Sequence, residues 1–269
     1  MRLTKILTLN LTLLFFVTTR VCAQNLSQPF SIGVKAGPNV TLVTYEDRDL
    51  QKYFSPAPVP GYFVGGFIKF PLKKDYAFTA EFAYTKKGRK TNFNNNWTNK
   101  ANYHFVDASM ALRRSFQVRL GKNIPAHYFF SVGPNIEYWL SGAGKVSVNP
   151  GGESKYEVVF NGTPDANFFR NYYNNVNRWL FGIDLGIGGD APLMRHQRIF
   201  AEVRFTWGHT YMGRNGSSSY MEILNFEDNI RASFKTLSVV LTYALDLDLR
   251  NAKKGKSTKD KEVKRGRRR

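Results

Sequence analysis

Cysteine is almost missing from this chain, histidine is scarce, and no segment of useful length carries the apolar spacing of an amphipathic helix. Each shortage removes a class of protein. A lone cysteine, Cys22, allows no disulfide within the chain and no paired thiol chemistry, so stability has to come from another source. The four histidines, His104, His127, His196 and His209, show no metal-ligand spacing, and neither a metal nor a cofactor is expected. The apolar stretch from about Ile6 to Val17 falls below the roughly 20 residues that a spanning helix needs. Negative charge is also in short supply, with 20 Asp and Glu against 39 Lys and Arg, a formal net charge of +19. That surplus sits at the ends: residues 1–23 carry +3 and residues 251–269 carry +8, which leaves +8 for everything between. The body is only mildly basic, and the sum alone does not argue for nucleic acid.

The opening segment "MRLTKILTLNLTLLFFVTTRVCAQ" has a basic start, an apolar middle and a small-residue end at Val21-Cys22-Ala23. This is the pattern of a cleaved secretory signal, residues 1–23, with Gln24 as the first mature residue. Cleavage would remove the only cysteine. Nucleic acid is therefore not an expected partner, because an exported chain does not meet it.

What the chain has is alternation. In "GYFVGGFIKFPLKKDYAFTAEFAYTKKG", residues 61–88, Tyr62, Val64, Ile68 and Phe70 share one parity, as do Tyr76, Phe78, Ala80, Phe82 and Tyr84 after a turn at Pro71 to Asp75. Strict period two means strand, since successive side chains on a strand point to opposite faces. The same pattern recurs from Phe30, Val106, Tyr128, Trp179, Ile199 and Leu237, which makes eight strands. Their connections alternate in length: "PLKKD", "GKNIPA" and "DAPLMRHQ" are short, whereas the others are long and polar, the longest from about Gly142 to Arg178. An even strand count with alternating short and long connections predicts an all-β fold. The expected architecture is an eight-stranded antiparallel transmembrane β-barrel of up-and-down topology over residues 24–250, with tight periplasmic turns and longer external loops.

The faces agree. One is uniformly bulky and apolar, with aromatics near both strand ends. Tyr76 to Tyr84 would span roughly 20 Å along the axis and Tyr128 to Tyr138 roughly 25 Å, close to the height of a lipid-facing band. The other face carries glycine, hydroxyls and charge, so it belongs inside. On this parity the lumen receives Glu81, Asp107, Glu137, Asp184 and Glu202 against Lys35, Lys69, Arg113, Arg119 and Arg204. Near balance predicts a buried network of ion pairs, because an unpaired charge in a confined interior is costly. An eight-stranded barrel is filled by its own side chains and leaves no aqueous channel. Two details fit less simply. Pro38 and Pro134 each remove a ladder donor, which predicts a bulge or the start of the outer rim. Arg114 falls on the lipid face, which predicts either a bulge near Arg113 or an arginine close enough to an interface to snorkel.

Five stretches, "FSIGVKAGPNVT", "AEFAYTKKGRK", "YFFSVGPNIEYWLSG", "AEVRFTWG" and "LSVVLTYAL", together resemble the PorT-like outer-membrane β-barrel family of gram-negative Bacteroidota. The resemblance runs from about Phe30 to Leu245. It implies an outer-membrane barrel whose named member assists type IX secretion, and it supplies no catalytic residues.

The leading expectation for function is a non-enzymatic structural or interaction barrel in the cell outer membrane. Two other readings stand beside it. A small-solute binding or transport barrel would show a ligand-sized mouth lined by tyrosines such as Tyr172 and Tyr173. A hydrolase would bring His209 together with Glu222 or Asp228 at the rim. The "GIGG" run at residues 186–189 faces the lumen and precedes no helix, so it is no phosphate cradle. The end of the chain, residues 251–269, is expected to be a disordered periplasmic tail. Its cations are Lys253, Lys254, Lys256, Lys259, Lys261, Lys264, Arg265, Arg267, Arg268 and Arg269. The expected partners are outer-membrane lipid and, through the tail, an envelope protein or the cell wall.

Overall fold

A computed structural model describes residues 30–247 apart from 73–74, 94–95, 121–123, 150, 163–168, 195, 222–225 and 229. The expected signal segment and the basic tail, with all ten of its cations, lie outside the described residues. In chain order the strands are β1 (Phe30–Tyr45), β2 (Pro56–Ala57), β3 (Val59–Pro71), β4 (Tyr76–Phe93), β5 (Trp97–Leu120), β6 (Ile124–Val148), β7 (Glu153–Phe160), β8 (Arg170–Val176), β9 (Trp179–Met194), β10 (Gln197–Gly208), β11 (Gly213–Met221), β12 (Phe226–Asp228) and β13 (Ala232–Leu247). One short helix, α1 (Arg48–Phe54), stands between β1 and β2, started by the Asp47 carboxylate, which accepts from the Asp49 amide.

Eight of these strands form a closed antiparallel ring in the order β1, β3, β4, β5, β6, β9, β10, β13. Closure rests on two pairings: β13 returns to β1, and β6 skips the intervening loop strands to pair with β9 from His127↔Asp190 to Tyr138↔Trp179. Every ring strand thus has a neighbour on each side. That satisfies the backbone without water, the condition a lipid environment imposes. The ring is the predicted eight-stranded barrel, and its strands centre on the eight alternating segments.

Alternation decides which face is wet. Val34, Val64, Phe82, Met110, Phe130, Val132, Ile187 and Leu241 are all exposed on the outside, whereas Lys35, Glu81, Arg113, Asp184 and Glu202 are buried within. Such an arrangement is inside out for a protein in water and correct for one in lipid.

The prolines are accommodated in a way that alternation alone does not reveal. Neither produces a bulge: Pro134 faces lipid between Val132 and Ile136 and pairs with Ile183 in unbroken register, and Pro38 pairs with Tyr62, near the end of the β1–β3 ladder. What is lost is two rungs of one ladder at each site, between Ala36↔Leu241 and Asn39↔Ser238 and between Ser109↔Asn135 and Leu112↔Val132. The glycine before each proline lets the facing strand press in, since a Cβ would lie 1.8 Å from the Val239 carbonyl oxygen at Gly37 and 1.8 Å from that of Met110 at Gly133. Arg114 is likewise settled without a bulge near Arg113. Its guanidinium lies 5.6 Å from the Tyr76 ring centre and 5.0 Å from that of Phe116, at the end of the apolar band.

The long connections are more than polar loops. β4, β5 and β6 continue past the barrel as one overhanging sheet, and β7, β8, β11 and β12 add to it in sequence. Where β6 leaves the barrel it carries a bulge: Phe105 faces Trp139, but His104 faces Ser141, so Leu140 is the extra residue. One inserted residue reverses the parity of everything beyond it on that strand. Trp139 and Glu137 point inward below the bulge, and Val146 does so above it.

Candidate functional site: a filled polar chamber under a platform of strands

The lumen is layered. At the short-turn end, a cavity of about 280 Å³ is lined by Ser31, Lys69, His127, Asp190, Arg198 and Asp246 among others. Arg198 joins Asp190 at 3.1 Å, and Ser31 donates to Asp246 at 2.6 Å. Above it lies an aromatic floor made by Phe67, Phe129 and Phe200, all buried. The Arg113 guanidinium covers this floor, 3.7 Å from the centre of Phe129.

The charged chamber follows. Arg204 is its hub, reaching Glu81 at 2.5 and 3.0 Å, Glu202 at 2.9 Å and Asp184 at 3.8 Å. Lys35 pairs with the same Glu81, and Arg113 reaches Glu202 at 3.3 Å. Hydroxyls complete the carboxylates: Thr206 donates to Asp184 at 2.6 Å, Ser131 to Glu202 at 3.2 Å, and Ser109 to Glu81 at 3.4 Å. Gly186 makes room, because a Cβ there would fall 2.1 Å from a Glu202 carboxylate oxygen. Higher up, Lys87 pairs with Glu137, and Thr85 donates to Asp107. The space left between these groups is about 40 Å³.

Aromatic rings stand over the chamber. The Lys87 ammonium lies 5.5 Å from the Phe105 ring centre and 5.7 Å from that of Phe234. Above them the overhang encloses a core of Tyr103, Trp139, Val146, Tyr156, Tyr173 and Met212, each buried. Tyr103 stands edge-on to Trp139 at 4.8 Å and shares a 3.1 Å hydroxyl contact with Tyr173. Burial pushes the Tyr103 and Tyr156 phenols well above their usual range, with Tyr173 beside each adding to the effect, so both stay neutral. Burial works against the charge of Arg89, yet Tyr45, Tyr103, Tyr173 and Tyr156 around it raise its pKa.

Of the predicted lumen residues, Lys35, Glu81, Arg113, Asp184, Glu202 and Arg204 meet in one network, and Asp107 and Glu137 complete its upper layer. Lys69 does not join them. It lies below the aromatic floor, 5.1 Å from the Phe200 ring centre, in the lower cavity. The side chain of Arg119 lies outside the described residues. Sequence reasoning missed Lys87, Asp190 and Arg198. Lys87 shares the parity of Glu81, and Asp190 that of Asp184, so extending each strand by a few residues would have found them. The aromatic floor and the rings over the chamber were missed because bulky residues on the inner parity contradict a purely polar lumen.

The other candidates separate. Tyr172 and Tyr173 are buried in the platform rather than lining an open mouth. His209 is exposed at the outer end of β10, while Glu222 and the side chain of Asp228 lie outside the described residues. Among the described residues no cluster of three or more His, Cys, Asp or Glu is placed to hold a metal ion.

A closed ring with a lipid-facing apolar band and a polar interior defines an outer-membrane β-barrel. Residues 22–210 match the family described as outer membrane protein beta-barrel domain, and the chain belongs to that family. It is a protein of the outer membrane. A comparison with curated proteins finds no match. Among solved structures, the outer membrane protein OprG of Pseudomonas aeruginosa is similar at 8% identity and a TM-score of 0.47, over 81% of this chain and 96% of that one. Ail, the attachment invasion locus protein of Yersinia pestis, is similar at 11% identity and a TM-score of 0.34, over 81% and 98% of the two chains. The outer membrane protease OmpT of Escherichia coli is similar at 9% identity and a TM-score of 0.31, over 83% and 99%.

Proposed function

We propose that this barrel is a non-enzymatic structural and interaction protein, accessory to protein secretion of the type IX kind as its PorT-like sequence features imply. The observation that carries the reading is a lumen filled by its own side chains. A charged chamber with about 40 Å³ of free space, bounded by Phe67, Phe129 and Phe200 on one side and with Phe105 and Phe234 at the other, leaves little room for a solute. What the protein presents instead is a platform of packed strands above the membrane. The tail, residues 251–269, is the second contact in this reading, directed at an envelope protein or the cell wall.

Two measurements test it. Reconstituted into planar bilayers, the protein should give no steady conductance, and an ohmic pore would favour transport. Deleting the gene in the native host should lower the amount of type IX cargo reaching the medium, and truncating residues 251–269 should reproduce part of that loss. Unchanged secretion in both strains removes the secretion role.

A further inference from the structure

The overhanging sheet carries a row of like charge that its own packing does not explain. Lys90 faces Lys100 across β4 and β5, Lys100 faces Lys145 across β5 and β6, and Lys145 faces Lys155 across β6 and β7. Four lysines on four adjacent strands thus stand in direct register. On β4, Lys90 shares the face of Tyr84 and Lys86, and each of the four lysines is the chain neighbour of an inward residue of its own strand, Arg89, Ala101, Val146 or Tyr156, so all four look outward. At a strand spacing near 4.8 Å, the row is roughly 15 Å long.

Like charges directly opposite one another destabilise a sheet. Relief on this face is slight. Glu153 pairs with Lys145 at 2.6 Å and also feels Lys155, two residues along its strand. Glu157 stands two residues along the strand from Lys155, facing Ala143 and Arg170. Among the described residues Lys90, Lys100 and Lys155 make no ion pair. An external anion lying along the row would relieve that repulsion.

Height decides which anion. Lys90 is six residues beyond Tyr84 on β4, which puts the row roughly 15 Å above the outer aromatic edge at the tilt of such barrels. Between them Lys86 lies against Tyr62, 5.9 Å from its ring centre, at the level where the apolar band gives way to headgroups. An outward face at this height on the flank of an outer-membrane protein borders the sugar layer of the outer leaflet. We propose that the lysine row binds the phosphorylated and carboxylated sugar headgroups of the outer-leaflet glycolipid. The spaced negative groups of that layer match a linear array of ammonium groups in charge and in spread.

The test uses the full chain folded in detergent micelles, with lipopolysaccharide and its dephosphorylated form as probes. Its variants replace all four lysines at once by Gln or by Arg. Heat-modifiable gel mobility confirms that each variant is folded. The wild type should retain lipopolysaccharide, the Gln variant should bind it about tenfold or more weakly, and the Arg variant should stay within about twofold of wild type. Dephosphorylation should weaken binding to wild type, and so should added salt. Wild-type affinity in a folded Gln variant overturns the proposal. So does equal binding of the dephosphorylated form, or an equal affinity for a soluble polyphosphate, which would make the row a general polyanion site.

Discussion

The part of the molecule within the membrane and the part above it are built on the same strands with opposite logic. On β5 the inward residues of the platform are Ala101, Tyr103 and Phe105, and those of the barrel are Asp107, Ser109 and Arg113. The outward residues change in the reverse sense at the same point, from Lys100, Asn102 and His104 to Val106, Met110 and Leu112. On the β4 side nothing in the backbone marks this exchange, since that pairing stays in register from Tyr76↔Arg114 to Phe93↔Trp97, whereas on the β6 side the Leu140 bulge falls at the same point, between His104 and Phe105. The surrounding medium changes, from lipid to water, and each face follows the medium it meets. One region is held by charge pairs in a low-dielectric chamber, the other by apolar burial, and the two should fail differently.

Removing the centre of the chamber should have the largest effect. Glu81→Leu leaves Lys35 and Arg204 without their shared carboxylate, and loss of one partner of a buried pair costs about 3–5 kcal/mol. The midpoint of urea unfolding, followed by the heat-modifiable band, should fall accordingly. If it does not, the chamber is not what holds the barrel. Val146→Ala should cost about 2 kcal/mol by removing two methyl groups from the platform core. Here the loss should appear in near-ultraviolet aromatic signals while the barrel band persists, and a concerted loss of both would show one cooperative unit.

Alkali should separate the regions without mutation. The Tyr103 and Tyr156 phenols have folded-state pKa values raised above 10.0, so the native state holds those protons more tightly than the unfolded chain. Their contribution is complete below pH 10 and is lost as pH climbs towards the raised values. Platform order measured by near-ultraviolet dichroism should decline above pH 10, and a Tyr103→Phe and Tyr156→Phe double variant should resist that decline. Smallest of all, Asp49→Asn at the exposed Lys52 to Asp49 pair of α1, 3.7 Å apart, should change stability by no more than about 0.5 kcal/mol.

The barrel was legible because period two is a local property. A residue's parity needs only its neighbours in the chain, so the eight strands, the lipid face and the identities of Glu81, Arg113, Asp184, Glu202 and Arg204 as inward groups could be read from order alone. The alternation of short and long connections likewise needs no coordinates. Pro38 and Pro134 show where such reading stops. A proline announces a missing donor, but whether the chain bulges or simply forgoes two rungs depends on how closely the partner strand approaches, and that is a matter of three dimensions.

Tertiary structure alone decided the rest. It showed that Glu81 is shared by Lys35 and Arg204, which come from strands far apart in the chain. It placed Lys69 under an aromatic floor and away from the other lumen charges. It also turned segments that read as polar loops into a packed platform, because the Leu140 bulge reverses the parity of β6 there and loop strands from three separate connections pair only once the ring brings them together. Order along the chain determines which face a side chain takes. Closure of the ring determines what it meets, because ion pairs, aromatic layers and a row of lysines arise between strands whose registers no single strand contains.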